Sequence, residues 1–300
     1  MPVPPHRRLP ALAWLILLAT LLLWAGNWIV ARAVRAEISP GIATVIRLAI
    51  VLLILLPFTA RGLIRKLPQL EAAHWKVLAV LGLCGGGLHL ALQWLGMHYT
   101  TATSGILYLS TSPLFILLMA RPLLGERIVL RQWLGLAVSS CGIVLIATQG
   151  NLTGFTFNVG DVMALFSMMM WAGYTVFLRL RRDPLDTAEF LTVVCGFGAL
   201  YMSPWLLWEL AGPGTLNLTG TGLVAVAYSA IGSFLLAYAG WSYVVNRLGA
   251  ARAGVTIHLM PALGTLMAIL FLGEYPRWFH GVGIGLILAG VGLSSSAKRA

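Results

Sequence analysis

Long apolar runs separated by short polar stretches dominate the pattern along this chain. Ten such runs can be read, each near the roughly 20 residues that a helix needs to cross a bilayer. We number them spans 1 to 10, at about 12–31, 40–59, 74–97, 101–123, 130–148, 159–178, 188–208, 222–245, 251–272 and 278–295. Because the runs are continuous rather than alternating, the pattern predicts an all-α polytopic membrane protein and not a membrane β-barrel.

The composition agrees with a protein embedded in a lipid bilayer. Hydrophobic residues make up 59% of the chain and charged residues 10%, whereas a soluble domain needs about 25% charged residues to solvate its surface. The 20 Lys and Arg residues outnumber the 9 Asp and Glu residues. In a membrane protein such an excess sets topology, so we expect no nucleic-acid partner.

Basic residues concentrate on one side of the predicted membrane. Sixteen lie in the two ends and the loops on that side, and three (Arg32, Arg35 and Arg277) lie on the other. The positive-inside rule therefore predicts cytoplasmic N- and C-termini. Arg47 lies within span 2. It could meet a carboxylate there, but we expect its side chain to snorkel to the outer surface.

Several motifs recur half a chain apart, at an offset of 147 or 148 residues. They are Trp-Ala-Gly at 24–26 and 171–173, Pro113 and Pro261, and Gly-Glu at 125–126 and 273–274. The offset predicts two five-helix repeats, residues 1–150 and 151–300. Because five is odd, the second repeat is inverted in the membrane. Inverted repeats give two similar packings, each open to one side, which is the basis of alternating access.

Two segments identify a family resemblance. Leu123-Leu124-Gly125-Glu126-Arg127 with Trp133-Leu134-Gly135, and Phe271-Leu272-Gly273-Glu274-Tyr275, resemble the repeated EamA signature of the ten-helix drug/metabolite transporters. Within that family the chain is most similar to the YddG-type aromatic amino-acid exporters of the bacterial inner membrane. The resemblance implies a basket-like bundle with a central cavity lined mainly by spans 1, 3, 4, 6, 8 and 9. It also implies export of small organic solutes, and we expect the monomer to be the functional unit.

Two tryptophans differ from the other nine in their depth. Trp24 and Trp171 lie about twelve residues into spans 1 and 6, whereas Trp94, Trp241 and the remaining seven lie near helix ends, as interfacial tryptophans do. A buried indole N–H needs a partner or a polar cavity. Trp24 and Trp171 are therefore either a stacking surface for the substrate or structural residues hydrogen-bonded between helices.

Polar residues form a second symmetric set. His89 and Tyr108 lie toward the outer ends of spans 3 and 4, and Tyr238 and His258 toward the inner ends of spans 8 and 9. We predict that each His/Tyr pair lines the cavity and contributes to gating or substrate binding. For each residue, a satisfied interhelical hydrogen bond is the alternative. Further candidates for substrate binding are Asn27, Gln93 and Ser110.

Pro113 and Pro261 lie in the middle of spans 4 and 9. Each removes a backbone hydrogen bond from its helix. They are predicted to act either as hinges that open and close the cavity or as static kinks.

The absence of certain charged residues and motifs limits the substrates and coupling mechanisms that the chain can use. No acidic residue lies deep in a span, so a carboxylate proton carrier is absent and coupling to protons would fall to His89 or His258. No lysine is deep enough to bind phosphate, and ATP-binding and intramembrane-protease patterns are absent or incomplete. We expect neither enzymatic activity nor a cofactor or metal.

The sequence therefore predicts an exporter of aromatic and other apolar amino acids, working as a facilitated uniporter. Proton-coupled efflux of drugs or other metabolites by the same fold is the alternative. A channel would differ from both by conducting without saturation.

Overall fold

The computed structural model describes residues 11–99, 108, 111–126, 128–151, 158–212, 214–217, 219–263, 266, 275 and 277–295. Its helices are α1 (Ala11–Ala33), α2 (Pro40–Lys66), α3 (Ala72–Leu81), α4 (His89–Tyr99), α5 (Ser112–Leu124), α6 (Leu130–Ala147), α7 (Val159–Leu180), α8 (Thr187–Ala211), α9 (Gly220–Ala227), α10 (Ala237–Leu248), α11 (Ala250–Thr256) and α12 (Trp278–Ser295). Two wider π-helical segments, π1 (Gly82–Leu88) and π2 (Tyr228–Leu236), join α3 to α4 and α9 to α10.

The predicted all-α membrane architecture is confirmed at this level. Eight of the ten predicted spans match helices that are described over nearly their whole length. Six helical stretches among the described residues are long and apolar enough to cross a membrane. Spans 4 and 9 are described only in part, through α5 and α11, so the count of ten stays a prediction. The chain is a multi-pass membrane protein.

Helices α2 and α8 lie side by side and are fixed at both ends. At one end the Glu209 carboxylate accepts hydrogen bonds from the backbone N–H groups of Gly41 (3.1 Å) and Ile42 (2.8 Å). At the other end Lys66 Nζ lies 2.6 Å from Glu189 Oε2. Because α2 ends in basic residues and begins on a carboxylate, both contacts also match the dipole of α2.

The first Gly-Glu motif joins the end of one helix to the start of another. Gly125 closes α5 with a left-handed φ of 63°, a conformation that glycine adopts without strain. The next residue, Glu126, accepts a hydrogen bond from the Ala251 N–H at the start of α11, at 3.2 Å. The motif therefore couples spans 4 and 9. The second copy, 273–274, lies outside the described residues.

Each of the two predicted hinge prolines follows described residues that form a turn. Thr111 forms a turn and Pro113 lies in the first turn of α5. Ile257 and His258 form a turn after α11, and Pro261 lies in the helical stretch 259–263. In a first turn the missing proline N–H removes no intrahelical bond. The structure thus has a turn before each proline where we expected a kink inside a continuous helix, and the hinge role stays a prediction.

Helices α6 and α12 cross in direct backbone contact at glycines. A Cβ built on Gly135 would lie 2.5 Å from the Gly290 carbonyl oxygen, and one on Gly142 would lie 2.5 Å from the Gly283 carbonyl oxygen. Real side chains never approach a carbonyl oxygen so closely. Small residues are therefore required at this crossing, as in other close-packed membrane helices.

Gly142→Ala is expected to destabilise the protein by about 1–3 kcal/mol, because the two backbones must move apart. Gly281→Ala on α12 is the matched control, since a Cβ there meets nothing within 4 Å. It should leave stability unchanged or raise it by about 0.5–1 kcal/mol through helix propensity. Thermal unfolding in detergent measures both, and equal losses in the two variants would contradict this packing.

Candidate functional site

A narrow cavity lies where α1, α4, α7 and the π2–α10 segment meet. Its walls are formed by Trp24, Asn27, His89, Leu90, Gln93, Met168, Trp171, Ser233, Tyr238, Ile257 and Met260. The volume of the cavity is about 30 Å³. A volume of that size holds about two waters and is far smaller than an amino acid. The cavity therefore has to widen before an organic solute can enter.

Five aromatic side chains pack together at one side of this cavity, and three of them, Trp24, Trp171 and Tyr238, form part of its wall. We call the five the aromatic cage: Trp24, Trp171, Tyr174, Tyr238 and Trp241. Trp171 is at the centre, with ring centroids at 4.8 Å from Trp24, 5.3 Å from Tyr174, 5.4 Å from Tyr238 and 5.7 Å from Trp241. These separations lie in the range where aromatic pairs attract each other. The cage joins α1, α7 and α10 through ring contacts.

The two π segments hold the cage in place through backbone carbonyls. Trp24 Nε1 donates to the Ser233 carbonyl oxygen in π2 at 3.0 Å. The Tyr238 hydroxyl donates to the Gly85 carbonyl oxygen in π1 at 2.8 Å. A π-helical turn departs from the regular i→i+4 ladder and so presents carbonyls to other groups. Trp24 is thus both hydrogen-bonded between helices and part of the cavity wall.

Tyr238→Phe is expected to lower the free energy of unfolding by about 1–3 kcal/mol, because the buried Gly85 carbonyl loses its donor. The ring remains in the cage, so uptake by the folded protein should fall much less than in Tyr238→Ala. Unfolding and uptake measured on the same preparations separate the two effects. Equal uptake in the two variants would show that the ring has no role.

Hydrogen bonds to Ser167 of α7 hold His89 in place and occupy one of its two ring nitrogens. Its Nδ1 lies 3.0 Å from the Ser167 carbonyl oxygen, and Ser167 Oγ donates back to the His89 carbonyl oxygen at 2.9 Å. Because a carbonyl oxygen can only accept, we assign the proton to Nδ1. Nε2 of the neutral ring is then a hydrogen-bond acceptor. The His89 ring lies 5.1 Å from Trp171, at the cavity wall.

A chain of polar side chains, which we call the polar relay, runs from α2 to the cavity. Arg47 Nη1 donates to Ser229 Oγ at 2.9 Å, and Ser229 Oγ donates to Asn27 Oδ1 at 2.8 Å. Asn27 Nδ2 in turn lies 3.4 Å from Gln93 Oε1. Asn27 and Gln93 line the cavity. The relay therefore connects a buried guanidinium to the cavity wall.

The expectation that Arg47 snorkels to the outer surface is wrong. Its side chain is 1% exposed and lies 5.2 Å above the centre of the Trp94 ring. The reason is the face of α2 that carries it, which packs on π2 and α4 rather than on lipid. There Ser229, Thr44 and the Trp94 ring provide hydrogen bonds and a cation–π contact.

The remaining predicted residues lie away from the cavity or outside the described residues. Tyr108 is buried but does not line the cavity. His258 is buried with Nδ1 at 2.5 Å from Ser139 Oγ of α6. Its neighbours Ile257 and Met260 form the wall instead, so the turn directs His258 to the other side. Ser110 lies outside the described residues. The cavity thus contains one residue of each predicted His/Tyr pair, His89 and Tyr238.

Sequence reasoning misplaced two tryptophans. Trp94 and Trp241 were expected at the membrane interface, yet they are 2% and 0% exposed. Trp241 Nε1 lies 3.2 Å from Thr175 Oγ1, and its ring lies 5.3 Å from Trp24. One signal was present, because Tyr238 and Trp241 are three residues apart and therefore share a helix face. The apolar lining residues gave no signal, since they resemble any other residue of an apolar helix.

Helices that can cross a bilayer and that enclose a cavity lined by aromatic and polar groups are typical of an integral membrane transporter. The chain belongs to the EamA-like transporter family, whose model matches it twice, at residues 11–148 and 158–296. The family resemblance read from the Gly-Glu segments is thereby confirmed.

Relatives agree with this assignment, and a solved structure has the same fold. An uncharacterized transporter of Archaeoglobus fulgidus is 30% identical over 290 residues, which cover 95% of this chain and 98% of the relative. A probable terminal-alkyne amino-acid exporter of Streptantibioticus cattleyicolor is 27% identical over 219 residues, covering 71% and 72%. A crystal structure with 22% identity matches with a TM-score of 0.73, covering 95% of this chain and 96% of that one. That match shows a shared fold.

Proposed function

We propose that this transporter exports aromatic and other apolar amino acids across the bacterial inner membrane. The observation that carries the proposal is the position of the aromatic cage directly beside polar groups that donate and accept hydrogen bonds. The rings offer stacking surfaces for an apolar side chain. Asn27, Gln93 and the acceptor nitrogen of His89 can bind the ammonium and carboxylate groups of a zwitterion. The amino-acid exporter among the relatives supports the same substrate class.

The cage also indicates how the substrate enters. The cavity is too small for an amino acid, and the rings of Trp24 and Trp171 are 4.8 Å apart and packed on each other. A substrate ring would replace one of these ring contacts with its own. Binding would then separate α1 from α7 without a large loss of aromatic contact. The turns at Thr111, before Pro113, and at Ile257 and His258, before Pro261, are where we expect the accompanying backbone movement.

The pattern of helix contacts supports alternating access by inverted repeats. Spans 2 and 7 pair through α2 and α8, and spans 5 and 10 pair through α6 and α12. The contact of α4 with α7 has its counterpart in α10 with α1, and that of π1 with α8 has its counterpart in π2 with α2. A two-fold relation between the halves produces such pairs. With five spans in each half, the two-fold axis would lie in the membrane plane.

The lining of the cavity favours uniport over proton coupling. Among the described residues that form its wall, no side chain is a carboxylate. His89 is the imidazole at the wall, and Ser167 already engages one of its nitrogens. The sixteen basic residues in the two ends and the loops on the same side, against three on the other side, support cytoplasmic termini. His89 is also the observation that keeps proton-coupled efflux of drugs or metabolites as a second candidate.

Uptake of labelled phenylalanine into liposomes containing the purified protein tests the proposal. We expect saturable uptake that tryptophan inhibits and that a pH gradient does not change, with protein-free liposomes as the control. Uptake that requires the gradient would favour the proton-coupled alternative. Failure of the intact protein to take up phenylalanine would refute the amino-acid assignment.

A further inference from the structure

Arg47 is a buried cation whose partners among the described residues are neutral. It donates to Ser229 and Thr44 and lies over the Trp94 ring. The ion pairs of Lys66 with Glu189 and of Arg181 with Asp183 do not involve it. A charge inside a membrane protein is costly unless it is paired, and such charges usually mark a functional site.

The buried carboxylate on the same helix pair does not neutralise Arg47. Glu209 contacts Gly41 and Ile42 at the start of α2, which is about 9 Å along the helix axis from Arg47 at 1.5 Å per residue. Its oxygens already accept from those two N–H groups and from Trp205 Nε1. Glu209 is therefore engaged in capping α2, and none of the described carboxylates forms an ion pair with Arg47.

The polar relay has one possible direction, because a guanidinium can only donate hydrogen bonds. Ser229 Oγ accepts from Arg47, so its own proton goes to Asn27 Oδ1. This fixes the Asn27 amide with Nδ2 toward Gln93 Oε1. The Gln93 Nε2 group is then the end of the relay at the cavity wall. Among the described residues, none accepts a hydrogen bond from it.

We propose that Arg47 is the fixed cation that recognises the carboxylate of the transported amino acid. The carboxylate would accept hydrogen bonds from Gln93 Nε2 at the wall, and the charge of Arg47 behind the wall would stabilise it. In a medium of low dielectric this attraction reaches across the intervening side chains. The same charge repels a substrate that carries an ammonium group without a carboxylate. This inference rests on the proposed function and specifies which end of the substrate selects it.

Uptake of phenylalanine compared with uptake of phenylalanine amide measures this selection, because the amide keeps the ring and the ammonium group. The wild-type protein is expected to prefer phenylalanine at least tenfold. Arg47→Gln should lower phenylalanine uptake at least tenfold and bring the ratio close to one, whereas Arg47→Lys should keep a preference. Arg61→Gln is the matched control, since Arg61 lies exposed on the same helix. It should behave as wild type.

A second variant leaves Arg47 in place in case its replacement prevents folding. Gln93→Glu puts a carboxylate at the end of the relay, where it would neutralise Arg47 and repel the carboxylate of phenylalanine. We expect the preference to reverse toward phenylalanine amide. A folded Arg47→Gln or Gln93→Glu protein that keeps the wild-type preference would overturn the inference.

Binding without transport distinguishes this inference from the proposed function. We expect 3-phenylpropanoate to raise the unfolding temperature of the wild-type protein, phenethylamine to have a much smaller effect, and Arg47→Gln to lose the difference. If the wild type takes up no phenylalanine but shows this Arg47-dependent difference, the amino-acid assignment fails and the carboxylate site stands. If the two compounds act alike on the wild type, the role of Arg47 is refuted.

Discussion

Trp171→Ala is expected to reduce the uptake of phenylalanine at least tenfold. Trp171 is the centre of the cage, and its ring lies within 4.8 to 5.7 Å of the four other cage rings. Each aromatic pair contributes about 0.5–1.5 kcal/mol beyond simple burial. Losing the stacking surface and the order of its neighbours therefore removes at least about 1.4 kcal/mol, which is tenfold in rate or affinity.

Trp171→Phe should retain part of the uptake, because it keeps a ring at the centre of the cage. Trp208→Ala is the matched control for tryptophan removal, since Trp208 is 62% exposed on α8 and does not line the cavity. Uptake has to be normalised to the folded fraction measured by size-exclusion chromatography. Wild-type uptake by folded Trp171→Ala would show that the cage does not bind the substrate.

Glu209→Ala is expected to cost at least about 3 kcal/mol in the free energy of unfolding. Its carboxylate accepts from the Gly41 and Ile42 N–H groups and from Trp205 Nε1, all at 3.1 Å or less. Hydrogen bonds to a charged group contribute about 1.5–3 kcal/mol each, and a donor left without a partner in a buried site is costly. Removing the carboxylate loses these hydrogen bonds and also leaves the Gly41 and Ile42 N–H groups without a partner at the start of α2.

Unfolding of the purified protein in mixed micelles measures this loss. Glu209→Gln keeps one acceptor oxygen, so its stability should lie between those of the wild type and Glu209→Ala. Because Glu209 lies outside the cavity wall, uptake per folded molecule should stay close to wild type in both variants. A stability of Glu209→Ala within 0.5 kcal/mol of wild type, roughly the level of a neutral surface change, would contradict the capping role.

Span positions could be predicted from sequence because a bilayer imposes a length and a polarity on each helix. Trp24 and Trp171 could be singled out because the repeat places them at equal depth. Depth along a span, however, does not show which face a residue occupies. For this reason Trp94 and Trp241 were assigned to the interface and Arg47 to the surface, although all three are buried.

The polar relay and the π segments could not be predicted from the sequence and became visible only in the structure. Ser229 is one of several serines in apolar surroundings, and its role depends on the contact between α2 and π2. The wider turns of π1 depend on neighbours as well, since Gly85 and Gly86 pack directly on Tyr174 and Val194. Such contacts join residues more than 80 positions apart in the sequence. Local patterns of hydrophobicity do not contain them.

The binding of labelled phenylalanine to the purified protein, measured by equilibrium dialysis, tests the central claim most directly. The cage predicts one saturable site per chain, displaced by tryptophan but not by glycine, and lost in Trp171→Ala. Equal displacement by glycine and tryptophan, or binding that Trp171→Ala leaves intact, would contradict an aromatic amino-acid site in this cavity.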